Sequence, residues 1–261
     1  PGWLADMSLV DSLESCKVER VWKSGKLVAT NGILCQRFER KFDAGPAMST
    51  QTGPVDSIRV GAPSRNPQIR LIGWKIGSLL TDSLTATAKV ESGAIVADPA
   101  KDIAKLAVQE RNRNTGRTAV GFVKGLGLRR GALGASVAHD AHPFIVAGAD
   151  DASMLTALKW LREQGGGLVA CEGTRILACL SLTAGGLMSD EPLSAVADQL
   201  TAVDQAAAGL GLVGDHPCMA LSFLSLSVIP SLKLTDQGYV DIGQSGLQEL
   251  LVTGGQDGDI S

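Results

Sequence analysis

The chain has 261 residues, of which 44% are hydrophobic and 20% are charged, so it can bury a sizeable core. Its 24 basic and 27 acidic residues give a formal net charge of −3, and the absence of a basic field argues against a nucleic-acid partner. No apolar run approaches the length that spans a bilayer, so the sequence predicts no membrane partner.

The cysteines and the first residue bear on cellular location and on completeness. The five cysteines are odd in number, scattered and free of any C-x-x-C pair, which is typical of a reduced cytoplasmic protein rather than a disulfide scaffold. The chain begins with Pro1 instead of Met and enters a strand-like pattern within a few residues. We therefore expect a cytoplasmic location and a fragment or cleaved product of a longer protein.

The first third of the chain predicts a small β unit followed by a connector. Residues 18–22 alternate as a strand, residues 24–26 form a turn and residues 27–29 return, which together indicate a hairpin. Residues 36–67 are rich in Pro, Gly, Ser and Thr and suit a boundary between domains. They include a short basic cluster, which we interpret as a solvated face: Arg37, Arg40 and Lys41.

From residue 68 the pattern returns to strands, predicted at 69–74, 84–90 and 94–97. Asp98 and Pro99 are typical of a helix start, but the periodicity of residues 102–110 fits a short helix as well as a strand.

The last third predicts two helices separated by a hairpin. Asp150 and Asp151 cap the first helix, and glycines 165–167 end it. The hairpin comprises residues 168–171 and 175–182. The second helix is expected from about residues 189–192, with acidic residues in its first turn, to residues 209–211. Its expected buried stripe is Leu193, Val196, Leu200 and Val203.

The fold class that follows is α+β, or α/β layers, with a mixed sheet and two main helices preceded by a small β unit. Residues 219–229 are predicted as a last apolar strand. The predicted domains are 1–35 for the β unit, 36–67 for the connector, 68–253 for the main domain and 254–261 for a tail.

Residues 121–149 hold the best candidate site. His139, Asp140 and His142 follow one apolar run and precede another, so they are expected at a turn between two strands. A histidine beside a carboxylate can act as an acid, a base or a metal ligand near neutral pH. The same sequence also fits a turn in which the two histidines only form hydrogen bonds to the backbone, so a catalytic and a structural role both stay open. The H-x-x-H spacing alone is weak evidence for zinc.

The glycine-rich residues 125–131 fit no established phosphate loop, and we interpret them as a bend that lets backbone segments approach closely. Lys124 beside them, with Arg129 and Arg130, could hold an anion or form a solvated edge. Lys124 and Ser136 are the candidate substrate-binding residues.

Several motifs together resemble the C-terminal part of the adenine deaminases, members of the amidohydrolase superfamily. They are GFVKGLGLRRGALGASVAHDAH at 121–142, GGGLV at 165–169, GLMSDEP at 186–192 and LSFLSLSVIPSLKLTDQGYVD at 221–241. Residues 1–32 resemble the end of the small composite β domain that accompanies an amidohydrolase barrel. The chain departs from the family at Asn112 and Arg113, where members often carry histidine after the Glu-Arg pair, and at Gly185 and Cys218.

The resemblance implies hydrolysis of adenine to hypoxanthine and ammonia with divalent manganese or iron at the mouth of a (β/α)₈ barrel. That barrel's metal ligands begin with an H-x-H pair, whereas this chain has only three histidines and no such pair. The resemblance therefore implies that the barrel and its metal site lie outside this chain, which holds no metal ligands itself. It also implies the barrel, a homo-oligomer and adenine as partners.

Three hypotheses remain at this point. In the first, the chain is part of an adenine deaminase, is inactive alone, and uses His139, Asp140 and His142 to help complete the active site. In the second, it is a module that only packs on the barrel and builds an oligomer. In the third, the weakest, those three residues form an independent metal hydrolase, although a catalytic metal site usually needs three protein ligands and an open position.

Overall fold

A computed structural model of the chain describes residues 2–35, 58–113 and 115–252, in two compact units, 1–43 and 44–261. The predicted basic cluster at Arg37, Arg40 and Lys41, most of the connector and the predicted tail lie outside the described residues. No helix in the described parts is long and apolar enough to cross a membrane.

The first unit is a four-stranded antiparallel sheet in the order β1-β2-β3-β4. Its strands are β1 Met7–Val10, β2 Val18–Lys23, β3 Lys26–Thr30 and β4 Ile33–Leu34. The β2–β3 hairpin confirms the predicted one, with a tight turn at Ser24 and Gly25, both at positive φ. Many apolar side chains of this unit are exposed, among them Trp3, Leu4, Leu13, Ile33 and Leu34.

The second unit is built on an eight-stranded mixed sheet. Its strands, in spatial order, are β15 Arg175–Ser181, β14 Gly167–Glu172, β12 Ala132–Ala135, β13 Phe144–Gly148, β10 Ile103–Gln109, β11 Thr118–Lys124, β6 Gln68–Gly73 and β7 Asp82–Thr87. Every neighbouring pair in it is antiparallel except β11 with β6. The undecided residues 102–110 thus form a central strand, buried along its whole length.

Two small sheets flank the large one. The first pairs β5 Val60–Gly61, β9 Ala94–Val96 and β8 Lys89–Glu91, and the second pairs β16 Leu232–Thr235, β17 Gly238–Asp241 and β18 Leu247–Gln248. The predicted helix start at Asp98 and Pro99 is a single 3₁₀ turn, Pro99–Lys101.

Helices cover both faces of the large sheet. α1 Asp151–Gln164 packs on the face that carries Ala107, Phe144 and Val146. α2 Leu193–Gly209 and α3 Pro217–Ser222 pack on the other face, with Leu106, Val108, Ile145 and Ala147. Alternate residues of β10 and β13 therefore serve two cores, as the two-residue period of a strand requires. The predicted α+β fold is confirmed.

Three details of the prediction differ from the structure. Residues 219–229 contain no strand, because Pro217 starts the short helix α3 there and turns follow it. Of the predicted stripe of α2, Val203 is buried and Val196 packs against the core, whereas Leu193 and Leu200 are 82% and 38% exposed, so the stripe is confirmed only in part. The helix also begins after the acidic residues, so its first turn carries none.

The glycine-rich bend is explained by close packing. A Cβ at Gly125 would lie 2.3 Å from the carbonyl oxygen of Trp74, and one at Gly127 would lie 2.6 Å from that of Gly211. Both glycines also have positive φ, which other residues adopt only at a cost. The structure therefore confirms the interpretation of this segment as a bend.

Candidate functional site

Residues 136–143 form the loop between β12 and β13, which pair directly as antiparallel neighbours. We call this segment the HDAH loop, and it confirms the predicted strand–turn–strand arrangement. Two hydrogen bonds to the backbone of His139 hold the loop in place. The His139 N–H donates to the Ser222 carbonyl (2.9 Å), and the Ser225 hydroxyl donates to the His139 carbonyl (2.9 Å). The loop is thus fixed to the end of α3 and the turn that follows it.

The HDAH loop brings two imidazoles and a carboxylate together. The His139 and His142 rings meet edge to face, with centroids 5.6 Å apart, and the His139 ring lies 4.8 Å from that of Phe223. Asp140 is exposed, and both histidines are half-buried. The Nδ1 atom of His142 is buried and has no hydrogen-bond partner among the described residues.

The surroundings of His142 favour its neutral form. Burial lowers the pKa of the His142 imidazole below its ordinary value, and the nearby His139 and Arg111 act in the same direction while Asp140 opposes them. A neutral imidazole has one nitrogen free to accept a proton or a hydrogen bond. His142 is therefore a neutral imidazole at neutral pH, with one ring nitrogen that can accept a hydrogen bond.

A polar groove runs beside the HDAH loop. It consists of two hollows of about 360 and 370 Å³, which share Ala141, Pro143, Asp236 and Gln237 in their walls. Asp236 accepts a hydrogen bond from Arg117 Nε (2.8 Å), which ties the β16–β17 turn to the loop between β10 and β11. Hydroxyl, amide, carboxylate and guanidinium groups all line this groove, so it offers donors and acceptors to a polar ligand.

The loop that follows β10 supports the HDAH loop from behind. Arg111, only 3% exposed, donates from Nε to the His142 carbonyl (2.5 Å), and Asn112 donates from Nδ2 to the Ala141 carbonyl (2.7 Å). Both bonds act on the backbone of the HDAH loop, so they set its position without occupying its side chains.

Glu110 organises the supporting loop itself. Its carboxylate accepts hydrogen bonds from the backbone N–H groups of Asn112, Arg113 and Thr115 and from the Thr115 hydroxyl. Burial alone would raise the pKa of this carboxyl, but these donors outweigh burial and hold the pKa below its usual range. Glu110 is therefore ionised at neutral pH.

The comparisons with known proteins agree with the motifs. The sequence model of the adenine deaminase C-terminal domain matches residues 78–245. The chain belongs to the adenine deaminase C-terminal domain family. Relatives named adenine deaminase include those of Oleidesulfovibrio alaskensis, 44% identical over 243 residues, and Cereibacter sphaeroides, 41% identical over 243 residues. A relative from Carboxydothermus hydrogenoformans, named adenine deaminase 2, is 37% identical over 243 residues.

Each match covers most of this chain but less than half of the relative. Each spans 93% of this chain but only 42% or 43% of the relative, so the chain corresponds to less than half the length of these adenine deaminases.

The other sequence-predicted site residues of this family member lie apart from the groove. Ser136 is fully buried, and its hydroxyl bonds to the Gly186 carbonyl (2.5 Å) and accepts from the Gly167 N–H (2.7 Å). Lys124 is exposed at the far end of β11, whereas Thr118 at the near end pairs with Gln109 beside the HDAH loop. The six steps between them span about 20 Å. Their predicted role in binding substrate stays a prediction.

The described residues do not fit a metal centre by themselves. They hold no group of three or more His, Cys, Asp and Glu side chains that could bind a metal ion. The divalent metal that the adenine deaminases imply therefore has no ligand set in the described part of this chain, and His139, Asp140 and His142 do not form one.

Sequence reasoning missed Arg111 as a site residue. The one available signal was its place in the Glu110–Arg111 pair, because the family departure at Asn112 falls directly after it. Its contacts lie 31 and 74 residues further along the chain, at His142 and Gly185, which no local pattern relates to it.

Proposed function

We propose that this chain is the C-terminal portion of an adenine deaminase, which hydrolyses adenine to hypoxanthine and ammonia. The observation that carries the proposal is the match of 93% of the chain to proteins named adenine deaminase, at 44% identity for the Oleidesulfovibrio alaskensis relative. The divalent manganese or iron of such an enzyme would supply a polarised water from a barrel that precedes this portion. The enzyme is further proposed to be cytoplasmic and a homo-oligomer.

Within that enzyme, we propose that the HDAH loop faces the mouth of the barrel and completes the active site. Its own chemistry supports this placement, because an exposed carboxylate and a neutral imidazole can accept or return protons as ammonia leaves. The polar groove, which His139 and Asp140 help to line, offers hydrogen-bond donors and acceptors, and the buried Nδ1 of His142 behind it has no partner among the described residues. Adenine, with ring nitrogens and an amino group, is a ligand of the matching polarity.

A chimera tests the role of the loop. In it, this chain replaces the matching 42% of the Oleidesulfovibrio alaskensis relative. His139→Asn and Asp140→Asn should each lower kcat/KM by roughly ten- to ten-thousand-fold, the range for a proton-transferring or orienting group. Metal content and thermal stability should stay near those of the unmodified chimera.

His216→Asn is the matched control, because His216 is the third histidine of the chain and its side chain is 77% exposed. It should leave kcat/KM unchanged. Full activity in both the His139 and the Asp140 variant would instead favour the alternative function, a non-catalytic module for packing and oligomerisation. The exposed apolar side chains of the first unit are the observation that supports that alternative.

A second assay uses the purified chain alone. With adenine and added manganese it should form no hypoxanthine above a metal-only blank, because the described residues contain no group of side chains that could hold the metal. Turnover well above the blank would contradict this reasoning.

A further inference from the structure

Arg111 is a buried cation that no carboxylate of the described residues neutralises. Its side chain lies behind the HDAH loop, donates from Nε to the His142 carbonyl (2.5 Å) and from Nη2 to the Gly185 carbonyl (2.7 Å), and sits 5.8 Å from the centre of the Phe144 ring. Removing a guanidinium from water costs free energy, and two hydrogen bonds to backbone carbonyls offset that cost only in part. The fixed fork of an arginine does, however, set the distance between the two carbonyls that it bridges.

The turn at Gly185 and Gly186 is shaped to admit this guanidinium. Gly186 has a φ of +71°, and a Cβ there would lie 2.5 Å from Arg111 Nη1. From another side, the Ser136 hydroxyl bonds to the Gly186 carbonyl (2.5 Å). The turn is therefore held between two buried side chains, one of which also holds the HDAH loop.

We propose that Arg111 is the positioning residue of the candidate site, fixing the HDAH loop against the Gly185–Gly186 turn and acting on substrate only through His142. The charged and titratable groups that face His142 are His139, Arg111 and Asp140. Of these, the cation of Arg111 disfavours a second positive charge on the His142 ring and so helps to keep that ring neutral. The catalytic consequence rests on the proposed function, whereas the positional one does not.

Nuclear magnetic resonance on the full chain tests the assignment, because only three histidines contribute ring signals. Two readouts are followed: the titration of the His142 ring, and the exchange of the His142 N–H, which donates to the Ala138 carbonyl (2.8 Å). In Arg111→Met the exchange should quicken at least about tenfold as the loop loosens. The titration midpoint should rise as the nearby cation is lost.

Two further variants separate charge from geometry. Arg111→Lys keeps the cation but cannot bridge both carbonyls, so exchange should quicken while the titration midpoint stays near that of the unmodified chain. Gly186→Ala keeps Arg111 but displaces its guanidinium, so exchange should again quicken. Gly173→Ala is the matched control, since Gly173 also has positive φ (+57°) but no atom within 4 Å of its Cβ position.

Wild-type exchange in both Arg111→Lys and Gly186→Ala would overturn the proposal, as would equal acceleration in Gly186→Ala and Gly173→Ala. These two variants decide the matter even if Arg111→Met does not fold. The outcome is separable from that of the proposed function, because no turnover is measured. If the loop loosens as expected but His139→Asn and Asp140→Asn both leave the chimera fully active, the proposed catalytic role of the HDAH loop fails and the positioning role of Arg111 stands.

Discussion

Tyr239 is the only tyrosine of the chain, and its hydroxyl joins the small β16–β17–β18 sheet to strand β11 of the large one. The side chain is 1% exposed; the hydroxyl accepts from the Phe122 N–H (2.5 Å) and donates to the Phe122 carbonyl (3.0 Å). The Tyr239 side chain occupies the space that a side chain at Gly121 would need: a Cβ there would lie 2.6 Å from the Tyr239 hydroxyl oxygen. Because Asp236 and Gln237 lie in the same hairpin, this anchor also positions one wall of the groove.

Tyr239→Phe keeps the ring and removes the hydroxyl, which leaves a buried N–H and a buried carbonyl without that partner. Each of these two unsatisfied groups costs about 1–3 kcal/mol, so the free energy of unfolding should fall by about 2–6 kcal/mol. For a domain of this size, Tm should fall by about 2–4 °C for each kcal/mol lost. Burial also raises the pKa of the Tyr239 hydroxyl, so the group stays protonated and able to donate throughout the neutral range.

The measurement is urea unfolding followed by far-ultraviolet circular dichroism, with the thermal midpoint as a second readout. Thr201→Val is the matched control, because it removes an exposed hydroxyl that bonds only to the Ala197 carbonyl one turn earlier (2.9 Å). The control should stay within about 0.5 kcal/mol of the unmodified chain. A loss of less than about 1 kcal/mol in Tyr239→Phe would show that the two Phe122 groups find other partners, and the reasoning would fail.

Two further predictions concern buried groups away from the groove. Burial lowers the pKa of Lys233 from 10.5 to about 8, and its Nζ donates to the Leu79 carbonyl (2.9 Å). Between pH 8 and 10.5 the unfolded chain binds a proton at Lys233 that the folded chain has lost, so the free energy of unfolding rises with pH by up to about 3 kcal/mol. Denaturant titrations at several pH values should show that this rise is absent in Lys233→Met. A Cβ at Gly148 would lie 2.2 Å from Met154 Cγ, so calorimetry should show Gly148→Ala destabilised by about 1–3 kcal/mol. Gly209→Ala is the control: a Cβ there meets no atom of the described residues within 4 Å, and because Gly209 is helical the stability should stay equal or rise by up to about 1 kcal/mol.

The sequence predicted best those elements whose boundaries are set by residues within the element or directly beside it. α1 starts at the Asp150 cap, whose carboxylate accepts from the Ser153 N–H (2.8 Å), and ends at Gly165 with a φ of +76°. Both residue types have a direct stereochemical reason to occupy those positions. The strand–turn–strand pattern around His139 was equally local, because apolar runs flank a polar segment.

The elements that sequence missed depend on packing between distant segments. An apolar run such as residues 219–229 does not distinguish a strand from a short buried helix, and Pro217 at the start of α3 decided for the helix. The stripe of α2 was confirmed only in part because the sheet covers only part of that helix, which leaves Leu193 exposed while Ala207 is buried. Neither outcome follows from the period of the helix alone.

The motifs that carry the family resemblance fall into two physical classes. The glycine-rich bend around Gly125 is fully accounted for by backbone segments in close contact, and the buried Ser136 by its bonds to Gly167 and Gly186. The HDAH loop is different, because packing explains its backbone but neither the exposed Asp140 nor the Nδ1 of His142, which has no hydrogen-bond partner among the described residues. When a fold fixes a polar group but gives it no hydrogen-bond partner, that group is a candidate for contact with a ligand or another protein segment. The catalytic hypothesis therefore depends on the side chains of His139, Asp140 and His142 at one end of the large sheet, and the chimera variants of His139 and Asp140 test two of these three.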